Sequence, residues 1–397
     1  MTILVLNQYF PPDRAATAIL LGQLSKDLSK KHDVSVICGS PTYSPENSKT
    51  DIHMKMKILR IPLIPLSRSN LMVRVLNYFL FLTGALFRAL LEPKHDLVMC
   101  WTDPPIVGAI GCILKMTKGS NLLFVSQDVH PEAAIAMKQL RNPLMAKILK
   151  TVSQFILKTS DSIVALGADM KKKLLAKGCE IHKLHIIPNW QDLKALQPDT
   201  GLSFRKALGI DPSTFIVMHS GNIGFSQDFE TLLQAAQMTL NEKYIQYLVV
   251  GDGGKEREVV QFIQNSKLVN VRHLPYQPNS QLSQSLSAAN LHYVSLLPEI
   301  TGYIVPSKVY GILAVARPMI ANVLDECEVA SIIREAGCGI LVERDAKKLA
   351  EEIKAASQNP QKIIQMGTSG RKWLEKHSSR EIATQKYDQL ILSLHTC

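Results

Sequence analysis

Lys308 is the residue of this chain whose position most directly suggests chemistry. It follows Pro306-Ser307 at the head of an apolar helical pattern, Val309-Tyr310-Gly311-Ile312-Leu313-Ala314. Ser307 suits a helix cap, which places the lysine in the first turn, where the helix dipole disfavours a cation. A bound phosphate would explain a lysine there; the plain alternative is a solvated side chain. Two glycine turns point the same way. Ser220-Gly221-Asn222-Ile223-Gly224 and Val250-Gly251-Asp252-Gly253-Gly254-Lys255 each follow a strand-like run and precede a helical one. Glycine allows close backbone approach, and free N–H groups at a helix start hold anions. The second turn lacks GxGxxG spacing, so the two together support a nucleotide without naming it.

Three polar loops in the first half could line a binding wall. Asn7 to Arg14 carries Pro11-Pro12 and leads through Asp13, Arg14 and Thr17 into a helix; the plain alternative is a rigid turn with Asp13 near a helix N-terminus. Thr102-Asp103-Pro104-Pro105 and Ser126-Gln127-Asp128-Val129-His130-Pro131-Glu132 are the others. The DxHxE spacing of Asp128, His130 and Glu132 matches no standard zinc pattern, so no metal is expected. Asp128 is the better hydrogen-bonding or basic group, with His130 capping or orienting the loop.

These loops need strands to position them, and the pattern supplies them. Ile3–Leu6, Val34–Cys38, Leu97–Cys100, Leu122–Val125, Ser162–Ala165 and Leu184–Ile187 are apolar runs separated by helical patterns, including Ala16–Ser29 and the Lys-rich Ala168–Lys177. Continuous apolar runs mark strands buried on both faces. After Pro188-Asn189-Trp190 a second series begins at Phe215–His219 and continues through Tyr247–Val250, Val269–Leu274, Leu291–Val294, Met319–Ala321 and Ile340–Val342. This βα alternation predicts two doubly wound parallel sheets with ligands beyond the carboxyl ends of the strands, and a hinge near Pro188–Pro198. The tail from Gln361 is helical in pattern, with Trp373 and Tyr387 as anchors.

At 397 residues, 46% hydrophobic and 20% charged, the chain is neither disordered nor collagenous. Its charge is uneven: residues 1–200 hold 25 basic and 15 acidic side chains, and 201–397 hold 20 and 19. A basic first half points to an anionic partner. The seven cysteines form no CxxC pair, which fits reduced thiols in the cytosol. Leu71–Leu91 is apolar, but its uncharged stretch, Val75 to Phe87, is 13 residues long and bracketed by Arg74 and Arg88. A span needs about 20. The segment is a buried helix or an interfacial one, with Arg68, Arg74 and Arg88 near lipid headgroups and Lys171, Lys172 and Lys173 as a second basic patch.

Taken in order, FPPD at 10–13, DPP at 103–105, QDVHPE at 127–132, IPNW at 187–190, SGNIG at 220–224, VVGDGG at 249–254, VPSKVYGILA at 305–314 with Arg317-Pro318, and AGCGILV at 336–342 resemble one family. The chain is similar to retaining glycosyltransferases of family 4 with the GT-B fold, of the bacterial colanic-acid and exopolysaccharide type. The resemblance implies two Rossmann-like domains facing a cleft: an acceptor domain at 1–195, a nucleotide-sugar domain at 196–375, and a C-terminal helix at 376–397 crossing back to the first.

It also implies roles. Lys308 and Asp128 are the catalytic candidates. Gly221, Asn222, Ile223, Gly224, Gly251, Gly253, Tyr276, Glu299, Ser307 and Lys308 would bind the nucleotide sugar, and Asp13, Arg14, Thr17, Asp103 and His130 the acceptor. Two features depart from the family. Its two glutamates, eight positions apart, fall on Tyr303 and Gly311 here, leaving Glu299 as a substitute for the first; its Arg and Lys after the first glycine turn fall on Asn222 and Gln227. The expected reaction is retaining, metal-independent transfer from a nucleoside diphosphate sugar, UDP-linked, to a hydroxyl of a lipid-linked or growing glycan. It would run at the cytoplasmic face of the inner membrane, on an anionic surface and without nucleic acid. The rivals are a nucleotide-sugar epimerase on the same fold and a non-catalytic nucleotide-sugar-binding subunit.

Overall fold

The computed structural model describes residues 1–13, 15–41, 56–64 and 71–394, with the side chains of 71, 72 and 74 left aside. The expectations for Arg14 and Arg68, and for the side chain of Arg74, lie outside the described residues. The chain divides into two compact units: Met1–Asn189 with Gly302–Ile304 and Arg380–Cys397, and Trp190–Thr301 with Val305–Ser379. These limits differ from the expected 195/196 and 375/376, and the short segment Gly302–Ile304 joins the first unit.

In the first unit, strands β1 (Thr2–Leu6), β2 (Asp33–Gly39), β3 (Lys57–Ile61), β4 (Leu97–Cys100), β5 (Asn121–Val125), β6 (Ser162–Ala165) and β7 (Leu184–Ile186) alternate with helices. The helices are α1 (Ala16–Leu28), α2 (Leu71–Leu91), α3 (Gly108–Lys118), α4 (Glu132–Ala136), α5 (Pro143–Thr159) and α6 (Ala168–Ala176). Among the described residues the strands form one sheet in the order β3-β2-β1-β4-β5-β6-β7, every pairing parallel. The four residues of β4 are all buried, as a continuous apolar run requires under helices on both faces. Strand β3 was not anticipated. It ends the sheet among the described residues, is only half-buried, and carries Lys57 and Arg60. Charges suit a sheet edge and hide the strand from a hydrophobic scan.

The second unit contains α7 (Leu202–Ala207), β8 (Phe215–Ser220), α8 (Phe229–Met238), β9 (Ile245–Val250), α9 (Glu256–Asn265), β10 (Val271–Leu274), α10 (Leu282–Ser287) and β11 (Leu291–Ser295). It continues with α11 (Lys308–Ala314), β12 (Met319–Asn322), α12 (Glu328–Ala336), β13 (Gly339–Val342), α13 (Ala346–Ser357) and α14 (Pro360–His377). Its parallel sheet runs β10-β9-β8-β11-β12-β13. Phe229, Leu232, Tyr247, Tyr293, Ile320, Leu349 and Ile353 fill its core on one side; each such side chain contributes about 1.5–3 kcal/mol on burial. Strand order reverses at β1 in one sheet and at β8 in the other, and the carboxyl ends of strands at such switch points are where α/β sheets take ligands.

The tail forms two helices. After α14, α15 (Arg380–Ser393) belongs to the first unit and packs on α1. Arg380 pairs with Asp27 at 2.7 Å, and Asp388 receives Lys31 at 2.6 Å and His32 at 2.7 Å. Tyr387 is fully buried, whereas Trp373 is only half-buried and stacks on His377.

Candidate functional site

The residues expected to do chemistry fall into two sets, one at the carboxyl edge of each sheet. In the second unit β8 and β9 pair from Phe215↔Ile245 to Ser220↔Val250, so their glycine turns leave the sheet together. Gly221 N–H donates to Val250 O at 2.9 Å, Ile223 N–H to Asp252 O at 2.7 Å, and Lys255 N–H back to Ile223 O at 2.9 Å. Gly251 and Gly253 adopt φ of 135° and 150°. A Cβ on Gly251 would lie 2.0 Å from Gly221 O, and one on Gly253 2.5 Å from Ile223 O. Glycine here serves the contact of one turn with the other. This corrects part of the expectation: the N–H groups of Gly221, Ile223 and Gly251 are bound within the fold, the last to Leu274 O at 2.9 Å. Those of Asn222 and Gly224 make no hydrogen bond among the described residues.

Lys308 opens α11 and returns over these turns. Its Nζ lies 3.2 Å from His219 Nε2 and 3.5 Å from Nδ1, and a Cβ on Gly221 would be 3.7 Å from it. Burial lowers its pKa to about 7. Among the described residues no carboxylate pairs with it. Its neighbour His219 is fully buried, edge-on to Phe229 with ring centroids 4.7 Å apart. Burial, and then the charge of Lys308, hold the imidazole neutral by pushing its pKa well below the usual range. A second buried imidazole, His292 on β11, is lowered by burial to about 4. The ammonium therefore meets a neutral ring, that of His219, where a counter-ion would ordinarily sit, an arrangement that attracts an anion. Lys255 brings another cation nearby, its Nζ donating to Gln227 O at 3.2 Å.

The structure gives the positions of three further donor-side candidates. Ser307 occupies the cap position but is exposed, and its side chain makes no capping bond. Glu299 sits exposed on the turn Pro298–Ile300. Tyr276 lies on the loop after β10 and is 44% exposed. His219 was overlooked. Its signal is a polar residue ending an apolar strand directly before a glycine turn.

In the first unit the three polar loops follow β1, β4 and β5, and among the described residues each contains one cis X-Pro bond, at Pro12, Pro104 and Pro131. They are tied together. Gln8 N–H donates to Asp103 O at 2.7 Å, Asp103 N–H to Asn7 Oδ1 at 3.1 Å, and Asn7 Nδ2 to Tyr9 O at 2.8 Å. Arg60 of β3 fastens the first loop, donating to Pro11 O at 2.6 Å and Gly39 O at 3.2 Å. Asp13 is buried, Asp103 half-buried, and Thr17 half-buried on the first turn of α1. Asp13 does not cap that helix, whose cap position is Ala15.

The third loop carries Asp128 and His130, with Nε2 3.7 Å from Asp128 Oδ2. Asp128 bridges antiparallel to Ile304, and Val129 N–H donates to Tyr303 O at 2.8 Å. The amides of Gln127 and Asn189 pair face to face at 3.0 and 3.3 Å. Glu132 is taken by Lys177, whose Nζ also donates to His130 O at 2.8 Å. Lys173, a member of the second basic patch, lies 4.8 Å above the Tyr303 ring.

Residues 202–373 match the family described as "Glycosyl transferases group 1". Over 273 residues the chain is 26% identical to the probable glycosyltransferase WbjE of Pseudomonas aeruginosa, covering 68% of this chain and 66% of that protein. It is 23% identical over 338 residues to the putative colanic acid biosynthesis glycosyl transferase WcaI of Escherichia coli K12, covering 79% and 81%. Among solved structures, Anabaena Alr3699/HepE in complex with UDP and glucose aligns over 99% of this chain and 100% of its own, with a TM-score of 0.76 at 15% identity. The second half of the chain thus holds a glycosyl transferases group 1 domain, in a chain that has the GT-B fold and is related to bacterial glycosyltransferases.

Proposed function

We propose that the chain transfers a sugar, with retention at the anomeric carbon, from a UDP-sugar to a hydroxyl of a lipid-linked or growing glycan in polysaccharide biosynthesis. The observation that carries this reading is the ammonium of Lys308, set over neutral His219 and against Gly221 without a carboxylate partner. A nucleoside diphosphate supplies the missing negative charge. As the bond from sugar to phosphate lengthens, charge grows on the leaving diphosphate, and a fixed cation in a partly dry site stabilises that change. The N–H groups of Asn222 and Gly224 are the backbone donors available beside it. With the diphosphate neutralised by Lys308, transfer proceeds without a divalent metal. A leaving phosphate oxygen accepts the acceptor's proton, so no protein nucleophile is needed.

The first unit carries the acceptor. Asp128, with His130 beside it, orients the hydroxyl, while Asp13 and Asp103 belong to loops held rigid by Asn7, Gln8 and Arg60, and Thr17 follows the first of them on α1. HepE, related in fold, binds UDP and glucose, and the name of WcaI refers to colanic acid biosynthesis; both support this choice of donor and pathway class. The test is turnover of UDP-, GDP- and ADP-sugars with a lipid-diphosphate-linked acceptor. Sugar transfer from the UDP donor is the expected result. Isomerisation of the donor without acceptor would indicate an epimerase, and binding without turnover a non-catalytic subunit.

A further inference from the structure

The first unit presents an apolar outer layer that neither its core nor the proposed reaction uses. Right-handed crossovers place α2, α3 and α5 on one face of the sheet, and they pack side by side in that order. In α2, Asn77, Phe81, Ala85 and Ala89 point inward and are buried. Val75, Phe79, Phe87 and Leu91 follow the same four-residue spacing two positions out of step. At 100° per residue that is the opposite side of the helix, and Phe79, Phe87 and Leu91 are 63%, 68% and 63% exposed. Helix α5 does likewise: Ile156 and Leu157 are buried, while Leu144, Ile148 and Phe155 are exposed.

The charge on these helices is one-sided. Their 49 residues include no aspartate or glutamate, whereas α9, α12 and α13 of the second unit carry several. Lys147 and Lys150 are exposed beside the apolar stripe of α5 and pair with no carboxylate among the described residues. Among the described residues no helix is long and apolar enough to cross a membrane. Arg88 and Lys115 pair with Glu92 and Asp161 at the ends of the layer, leaving Lys147 and Lys150, among the described residues, as unpaired ammonium groups beside the apolar stripe, an arrangement that matches a helix layer lying in a lipid interface.

We infer that the outer face of α2, α3 and α5 docks the protein on an anionic lipid bilayer, with Phe79, Phe87, Ile148 and Phe155 entering the interface and Lys147 and Lys150 meeting the headgroups. This locates the membrane contact that a lipid-linked acceptor calls for, and rests on the proposed function only in that respect.

The test is co-sedimentation of the full chain with phosphatidylcholine vesicles, with and without phosphatidylglycerol, at low and high salt. Binding is expected with the anionic lipid only. Phe79→Ser with Phe87→Ser, Ile148→Ser with Phe155→Ser, and Lys147→Glu with Lys150→Glu should each weaken it by about tenfold or more. Thermal melts and UDP binding should stay at parental values, which separates failure here from failure of the donor site. Parental binding by all three pairs, or equal binding to neutral vesicles, would overturn the proposal. So would a parent that is a dimer by light scattering and becomes a monomer on Phe79→Ser with Phe87→Ser, because a second copy would then cover the face.

Discussion

The polar loops of the first unit and the glycine turns of the second occupy equivalent edges of similar sheets, yet handle polarity in opposite ways. In the first unit Asn7 binds the backbone of Asp103 and Tyr9, Gln127 pairs with Asn189, and Glu132 pairs with Lys177. In the second, backbone bonds close the turns on each other while Lys308 is left facing the neutral imidazole of His219. A satisfied network rigidifies a surface, whereas an ammonium without a counter-ion reserves a place for an anion. The first edge is a wall and the second a charge site.

Removing the charge should have the largest effect. Lys308→Ala is expected to lower kcat by about 100-fold or more, as loss of one leaving-group stabiliser does, with the second unit still folded by circular dichroism. Lys308→Met should also raise the melting temperature of the ligand-free protein near neutral pH, because a group whose folded pKa is depressed to about 7 is penalised below its unfolded value. Activity and stability would then move in opposite directions at one residue, which a merely structural lysine does not produce.

Gly251→Ala comes next. Its Cβ would meet Gly221 O at 2.0 Å at a φ of 135°, so the two turns must separate; a cost of about 1–3 kcal/mol for the strained backbone should show in denaturant melts together with lost UDP affinity.

Donor affinity should also depend on pH, with a sign fixed by the burial of Lys308. Below about 7 the free site is already charged; above it, UDP must bring a proton with it. Affinity should weaken by up to about tenfold per pH unit above neutrality, and Lys308→Met should lose that slope. In the first unit, Gln127→Ala leaves the buried amide of Asn189 unpaired and should cost about 1–3 kcal/mol in stability while UDP affinity stays at the parental value. A fall in UDP affinity there would break the contrast between wall and charge site. The smallest expected effect is that of EDTA, which should leave initial rates unchanged.

How much of this was legible in the sequence follows from how each feature is encoded. Continuous apolar runs such as Leu97–Cys100 and Ser162–Ala165 mark strands buried on both sides and emerge with the limits the pattern implies. The edge strand β3 was not legible, because its half-exposed residues include Lys57 and Arg60 and carry no continuous apolar run. Lys308 stood out because a cation in a first helical turn is locally unfavourable. His219 did not, since nothing in FIVMHS states that its last imidazole will lie under a lysine 89 positions later. The available N–H groups were misjudged for a related reason: glycine in a turn announces close approach, but not whether the approaching group is a ligand or the neighbouring turn.

The central claim is that Lys308 holds the diphosphate, and comparing the binding of UDP and uridine by calorimetry at pH 7 to the parent and to Lys308→Met tests it most directly. The parent should prefer UDP by about 100-fold, the scale of a charge-assisted contact in a partly dry site, and Lys308→Met should bind the two ligands almost equally. A folded Lys308→Met that kept the parental preference for UDP would place the diphosphate elsewhere and contradict the account.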